Sequence, residues 1–170
     1  MLILLVALVV TVLDQVTKQL VRYSFGEGEL LPVIEGFFNL TFVRNSGAAW
    51  GMFHNYSWAL IALSIIMLVL MIVFRHSFIS ESSEHRFALG LMIGGILGNL
   101  IDRIKLGAVT DFLDFYVGTH HWPAFNVADS AICVGVGIYI LSAMWTKDHP
   151  LHESAAVGAN NETDREETSS

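Results

Sequence analysis

Four apolar windows, each close to the roughly 20 residues an α-helix needs to cross a bilayer, constrain this chain more than any other feature. They run about 1–22, 57–74, 87–106 and 127–145. Inside hydrocarbon a backbone must satisfy its own hydrogen bonds, so windows of this length are expected as helices. The composition agrees, with 54% of residues hydrophobic, 15% charged and a mean hydropathy of +0.57. The first window has no basic lead and no small-x-small cleavage site, and it carries Asp14 and Lys18. These mark a retained helix rather than a removable signal. The fold class that follows is an all-α membrane protein with four transmembrane helices.

An even number of spans returns both termini to one side and places the 23–56 and 107–126 connections together on the other. Parity then sorts the polar residues. Asp14 and Lys18 fall toward that far end of the first helix, and Asn99, Asp102 and Arg103 toward the far end of the third. Asn126 and Asp129 open the fourth helix, and Asp111 lies in the connection before it. The near side holds only "RHSFISESSEHR" and the C-terminal tail. Arg75, Arg86, Lys147 and Arg165 on the near side balance Lys18, Arg22, Arg44, Arg103 and Lys105 in the far half, so positive charge does not decide the orientation.

The 23–56 connection is patterned rather than bare. "LLPVIEGFFNLTFVRNSGAAWGMF" is rich in Val, Ile, Phe and Thr, with Pro32, Gly36 and Gly47 as breaks, and predicts short strands within 24–56 lying over the polar cluster. In the third window Gly90, Gly94 and Gly98 recur every four residues beside Gly95, a face suited to close helix packing. The second window has no ionisable residue and reads as lipid-facing scaffold. Tyr23, Tyr56, Trp58, Trp122 and Trp145 fall at helix ends, as an interfacial aromatic belt requires. Residues 147–170 carry six acids against two bases and no apolar period, and are expected as a disordered acidic tail. Cys133 is the only cysteine, which excludes an intramolecular disulfide and a thiolate metal cluster.

Each polar residue has a bland reading. Asp14 and Lys18, at i and i+4, can neutralise one another or support a site. Asn99, Asp102 and Arg103 share a helical face, and an Asn in hydrocarbon needs a hydrogen-bond partner inside the bundle. Asp129 suits a helix N-terminus, and Asp111 alone is an ordinary connection residue. Together they form a candidate pair of carboxylates, one ionised as base and the other protonated as acid. Spacing does not separate Asp114 from this pair. A Ser/Lys dyad lacks a serine directed at Lys18 or Lys105, and no metal-binding spacing joins Asp111, Asp114, His120 and His121. The histidines read as interfacial residues. A proton-coupled transporter would need relay groups along its helices, but their near halves are apolar. No phosphate loop or basic groove is present, so nucleic acid is not expected as a partner.

The segments "LDQVTK" (13–18), "RNSGAAWG" (44–51), "GGILGNLIDR" (94–103), "VTDFLDF" (109–115) and "FNVADSA" (125–131) occur in the order and spacing of the bacterial lipoprotein signal peptidases. The chain resembles this type II signal peptidase family over about residues 11–132. The resemblance implies a single peptidase domain over 1–146 with a β-rich extracytoplasmic segment, in the bacterial cytoplasmic (inner) membrane, with cytoplasmic termini and a site near the outer face. It implies an aspartic endopeptidase that cleaves diacylglyceryl-modified prolipoproteins just before the lipidated cysteine. By motif position the catalytic pair is Asp111 and Asp129. The surrounding site residues are Asp14, Lys18, Asn45, Gly47, Asn99, Asp102, Arg103, Asn126 and Ala128. On this reading Asp114 is a loop or supporting residue, no cofactor or metal is expected, and the partners are the prolipoproteins and membrane lipids. The enzyme is expected as a monomer. The chain departs from the family in lacking a basic lead before its first helix and in its long acidic tail.

Overall fold

The computed structural model describes residues 1–47, 56–74 and 83–147, with side chains to Met144. The end of the "RNSGAAWG" motif, most of the near-side loop, the Trp145 side chain and the tail beyond Lys147 lie outside the described residues. Four helices are present among them: α1 (Leu2–Ser24), α2 (Ser57–Val73), α3 (Ser83–Leu106) and α4 (Val127–Lys147). By length and apolar character α1, α3 and Val127–Met144 of α4 suffice to cross a membrane, whereas α2 is apolar but only 17 residues long.

The glycines of α3 explain why it is the central helix. It packs on α1, α2 and α4. A Cβ added at Gly90 would stand 2.7 Å from Val6 Cβ, and one at Gly94 2.7 Å from the Ala7 carbonyl oxygen. A Cβ at Gly98 would run into the Asp14 carboxylate. The stripe expected from four-residue spacing is therefore the α1 contact. Gly95, one residue off it, meets the Ala128 carbonyl of α4 instead. Most of the span of α3 is buried, while α1 turns Leu4, Leu8, Val12, Val16 and Leu20 outward and α2 buries only Leu60. Without a polar face, α2 presents Ile65, Ile66, Val69, Ile72 and Val73 to its surroundings, as a lipid-facing helix does.

The far side departs from the sequence reading. Strands β1 (Leu30–Ile34) and β2 (Phe38–Asn45) form within the expected segment, but the sheet continues into the other connection as β3 (Val109–Val117) and β4 (His120–His121). The order is β1-β2-β3-β4, with antiparallel pairing throughout. The reason is legible afterwards: "VTDFLDFYV" is β-branched and aromatic between its acids, and burying Val109, Thr110 and Phe112 stabilises an extended strand. Gly36, at φ +81°, makes the β1–β2 turn that most side chains resist. At Pro32, which has no N–H to give a ladder, the exposed edge strand slips register by a bulge before Ile34.

Candidate active site

The far ends of α1 and α3, the start of α4 and strand β3 meet in one polar cluster. Asp14, Lys18, Asp102, Asp111 and Asn126 are all no more than 2% exposed. Burying so many charged groups is tolerable only if each is paired. Lys18 Nζ lies 2.9 Å from Asp14 Oδ2 and donates to Asn99 Oδ1 at 2.8 Å, with Asp102 Oδ2 at 3.8 Å. Asp14 Oδ1 accepts the Ala128 backbone N–H at 3.0 Å, a contact that seats the first turn of α4 against α1. The Asp14–Lys18 pair expected from spacing is thus present, and it also reaches α3 and α4.

Asn126 is the hub. Its Oδ1 accepts the Asp129 N–H at 3.0 Å, while Asp129 Oδ2 accepts the Asn126 N–H at 3.2 Å, a reciprocal capping box at the start of α4. Its Nδ2 donates to Asp111 Oδ1 at 2.6 Å and to Asn99 Oδ1 at 3.2 Å. Asp111 Oδ2 accepts from Asn45 Nδ2 at 2.9 Å, and Asp129 Oδ1 from Asn99 Nδ2 at 2.8 Å. Each carboxylate therefore has a donor on both oxygens, and one asparagine touches both. Burial first, and the neighbouring Asp129 carboxylate second, push the Asp111 carboxyl up to about 7, against the pull of Asn45, Asn126 and Lys18.

Asp111 and Asp129 open onto a cavity of about 460 Å³. Asn45, Asn99 and Arg103 also line it, and Trp122, Phe125 and Ile132 supply apolar wall. Arg103 Nη2 donates to the Gly47 carbonyl at 3.3 Å, and Arg103 Nε is buried with no partner among the described residues. Lys18 faces Asp14 and Asn99, and Ser130 Oγ donates to the Asn126 carbonyl at 2.9 Å, so Ser130 and Lys18 form no dyad.

The structure separates Asp114 from the pair, which spacing alone did not. It is a buried strand residue rather than a loop residue, accepting from Asn39 Nδ2 at 2.8 Å and pairing with His121 Nδ1 at 2.8 Å. An odd offset of three along a strand sends Asp111 and Asp114 to opposite faces. His121, read from sequence as interfacial, is half exposed on this pair, and Tyr116 stacks on its ring at 4.8 Å between centroids. Among the described residues no three His, Cys, Asp or Glu side chains gather as a metal site.

Three participants escaped the sequence reading. Arg22 Nη1 donates to Thr110 Oγ1 at 2.8 Å and lies 3.3 Å from Asp102 Oδ2. Gln15 Nε2 reaches the Gly98 carbonyl at 3.1 Å and Asp102 Oδ1 at 3.2 Å. The signal was available for one of them: Asp14, Lys18 and Arg22 continue a single four-residue stripe down α1.

Fold and site together define a class, a helical membrane protein with a pair of carboxylates, Asp111 buried and Asp129 half-buried, open to a cavity. Residues 6–145 match the family described as Signal peptidase (SPase) II. The lipoprotein signal peptidase of Syntrophotalea carbinolica is 44% identical over 145 residues, covering 84% of this chain and 89% of that protein. That of Geobacter sulfurreducens is 46% identical over 130 residues, covering 75% and 81%. A solved structure described as a bacterial membrane enzyme determined by the in meso method superposes with a TM-score of 0.81 at 32% identity, over 88% of this chain and 92% of the other. The chain belongs to the signal peptidase II family.

Proposed function

We propose that this chain is an intramembrane aspartic endopeptidase that removes the signal peptide from diacylglyceryl-modified prolipoproteins, cutting just before the lipidated cysteine. Family membership supports the reaction, and one observation carries the chemistry: Asp111 and Asp129 face a common cavity and are tied to the same Asn126. Two adjacent buried carboxylates hold one proton between them more cheaply than they ionise together. The ionised member takes a proton from a water as its oxygen attacks the scissile carbonyl carbon. The protonated member donates to the carbonyl oxygen. As the C–N bond breaks, the proton taken from the water passes to the amine nitrogen and a hydroxyl of the tetrahedral diol returns one to the other carboxylate, leaving the acid product, the amine and a singly protonated pair. The raised Asp111 carboxyl suits a shared proton near neutrality, and the titration belongs to the pair rather than to either residue.

Asn45, Asn99, Asn126 and Arg103 hold the pair and the substrate backbone, with Gly47 anchoring Arg103. Asp14, Lys18, Asp102 and Ala128 fix the helix ends beneath them. The apolar wall of Trp122, Phe125 and Ile132 matches a substrate whose signal helix and acyl chains arrive through lipid. In this reading α2 is a fourth span, residues 1–146 are one domain, the termini and the acidic tail are cytoplasmic, and the cavity lies near the outer face of the inner membrane. A monomer suffices, because one chain supplies both carboxylates.

Asp111→Asn and Asp129→Asn should each abolish prolipoprotein cleavage in membranes while leaving an inserted, folded chain. Near-normal cleavage by either variant refutes the pair.

A further inference from the structure

Asp111 sits on a strand, and a strand residue is only as well placed as its neighbours. Thr110, the residue before it, is 2% exposed and held twice. Its backbone N–H donates to Asp102 Oδ2 at 3.0 Å, and its Oγ1 accepts from Arg22 Nη1 at 2.8 Å. The same Nη1 lies 3.3 Å from Asp102 Oδ2, closing a three-cornered link between the ends of α1 and α3 and the start of β3. Arg22 also supplies charge. Lys18 is committed to Asp14 at 2.9 Å and stands 3.8 Å from Asp102, so Arg22 is the cation in closer reach of that buried carboxylate. The Arg22 side chain is 20% exposed and is not among the residues that line the cavity.

We infer that Arg22 and Thr110 are positioning residues for the Asp111 carboxyl, clamping the first residues of β3 to the helix ends through Asp102. This rests on the reading of Asp111 and Asp129 as the reacting pair. Arg22 touches neither substrate nor the reacting carboxylates; it acts by removing freedom from the backbone that carries one of them. A misplacement of a fraction of an ångström in a reacting group is felt in turnover more than in binding.

The test is prolipoprotein cleavage by the full chain in membranes, comparing wild type with Arg22→Gln, Thr110→Val, Thr110→Ser, the Arg22→Gln/Thr110→Val double variant and Asp111→Asn. Thr110→Val keeps the branched shape of the side chain and replaces the hydroxyl with a methyl group, which cannot accept from Arg22. Expected are kcat falling about 10-fold in Thr110→Val and Arg22→Gln with KM within about two-fold, most of the loss recovered in Thr110→Ser, and a double variant no slower than the slower single. Unchanged kcat in Thr110→Val overturns the inference, as does an equal loss in Thr110→Ser or a multiplicative loss in the double variant. Failure of the underlying reading looks different: Asp111→Asn would cleave normally, whatever the Arg22 and Thr110 variants do.

Discussion

Removing the Asn126 side chain tests the site at the point where its parts converge. In Asn126→Ala three interactions go: the cap on the Asp129 N–H, the donor 2.6 Å from Asp111 Oδ1 and the donor 3.2 Å from Asn99 Oδ1. A lost N-cap costs about 1 kcal/mol. A lost hydrogen bond to a charged acceptor costs about 1.5–3 kcal/mol, and falls on Asp111 only while it is ionised. The stability loss should therefore depend on pH. Asp111 is raised above its unfolded value, so its proton favours the folded state at acid pH, and stability declines as pH climbs toward about 7. Without Asn126 the charged form is worse still, its pKa rises further, and the decline continues to higher pH. Thermal unfolding should show a loss of roughly 1–2 kcal/mol near pH 5 and roughly 3–4 kcal/mol near pH 8. In cleavage assays the fall in kcat/KM on the alkaline side, near 7 in wild type, should move up by about one unit, since 1.4 kcal/mol is one pKa unit. A limb that stays in place or moves down, or a loss independent of pH, would refute the assigned contact.

Two further outcomes follow from the packing. Lys18→Met leaves Asp14 without its close cation in a fully buried position and should cost about 3–5 kcal/mol by chemical or thermal unfolding, with Asp14→Asn added to it restoring a substantial part. Gly95→Ala places a methyl against the Ala128 carbonyl and Ile132, two residues inside the start of α4, and should destabilise by about 1–3 kcal/mol while slowing cleavage; an unchanged melting temperature would show that α3 and α4 have room to part.

The helices and the end of the molecule where chemistry gathers were legible in the sequence, because membrane length and parity act on long stretches and leave few alternatives. Asp111, Asp129, Asn99 and Asn126 meet at one end of the helices, where the sequence reading gathered them. The second half of the sheet was not legible from the same signals. Its strand is studded with Asp111 and Asp114, which lower β propensity, and its long pairing is with Phe38–Asn45, far away in sequence. Spacing left Asp114 undecided for the same reason: its place on the opposite face follows only once a strand, rather than a loop, is assumed. Thr110 had no local mark at all, since a single hydroxyl in a β-branched run looks like any other strand residue. Its role comes from Arg22, 88 residues earlier.

The pairing of β2 with β3 also sets an order on how the enzyme comes into being. Asp111 needs Asn45 from the first far-side segment, the helix ends of α1 and α3 beneath Thr110, and Asn126 at the head of the last helix. Asp129 lies on that last helix. On the proposed function, a chain being threaded into the bilayer stays inert until the final helix is seated. No shorter product of synthesis or proteolysis that ends before α4 holds a complete pair of acids.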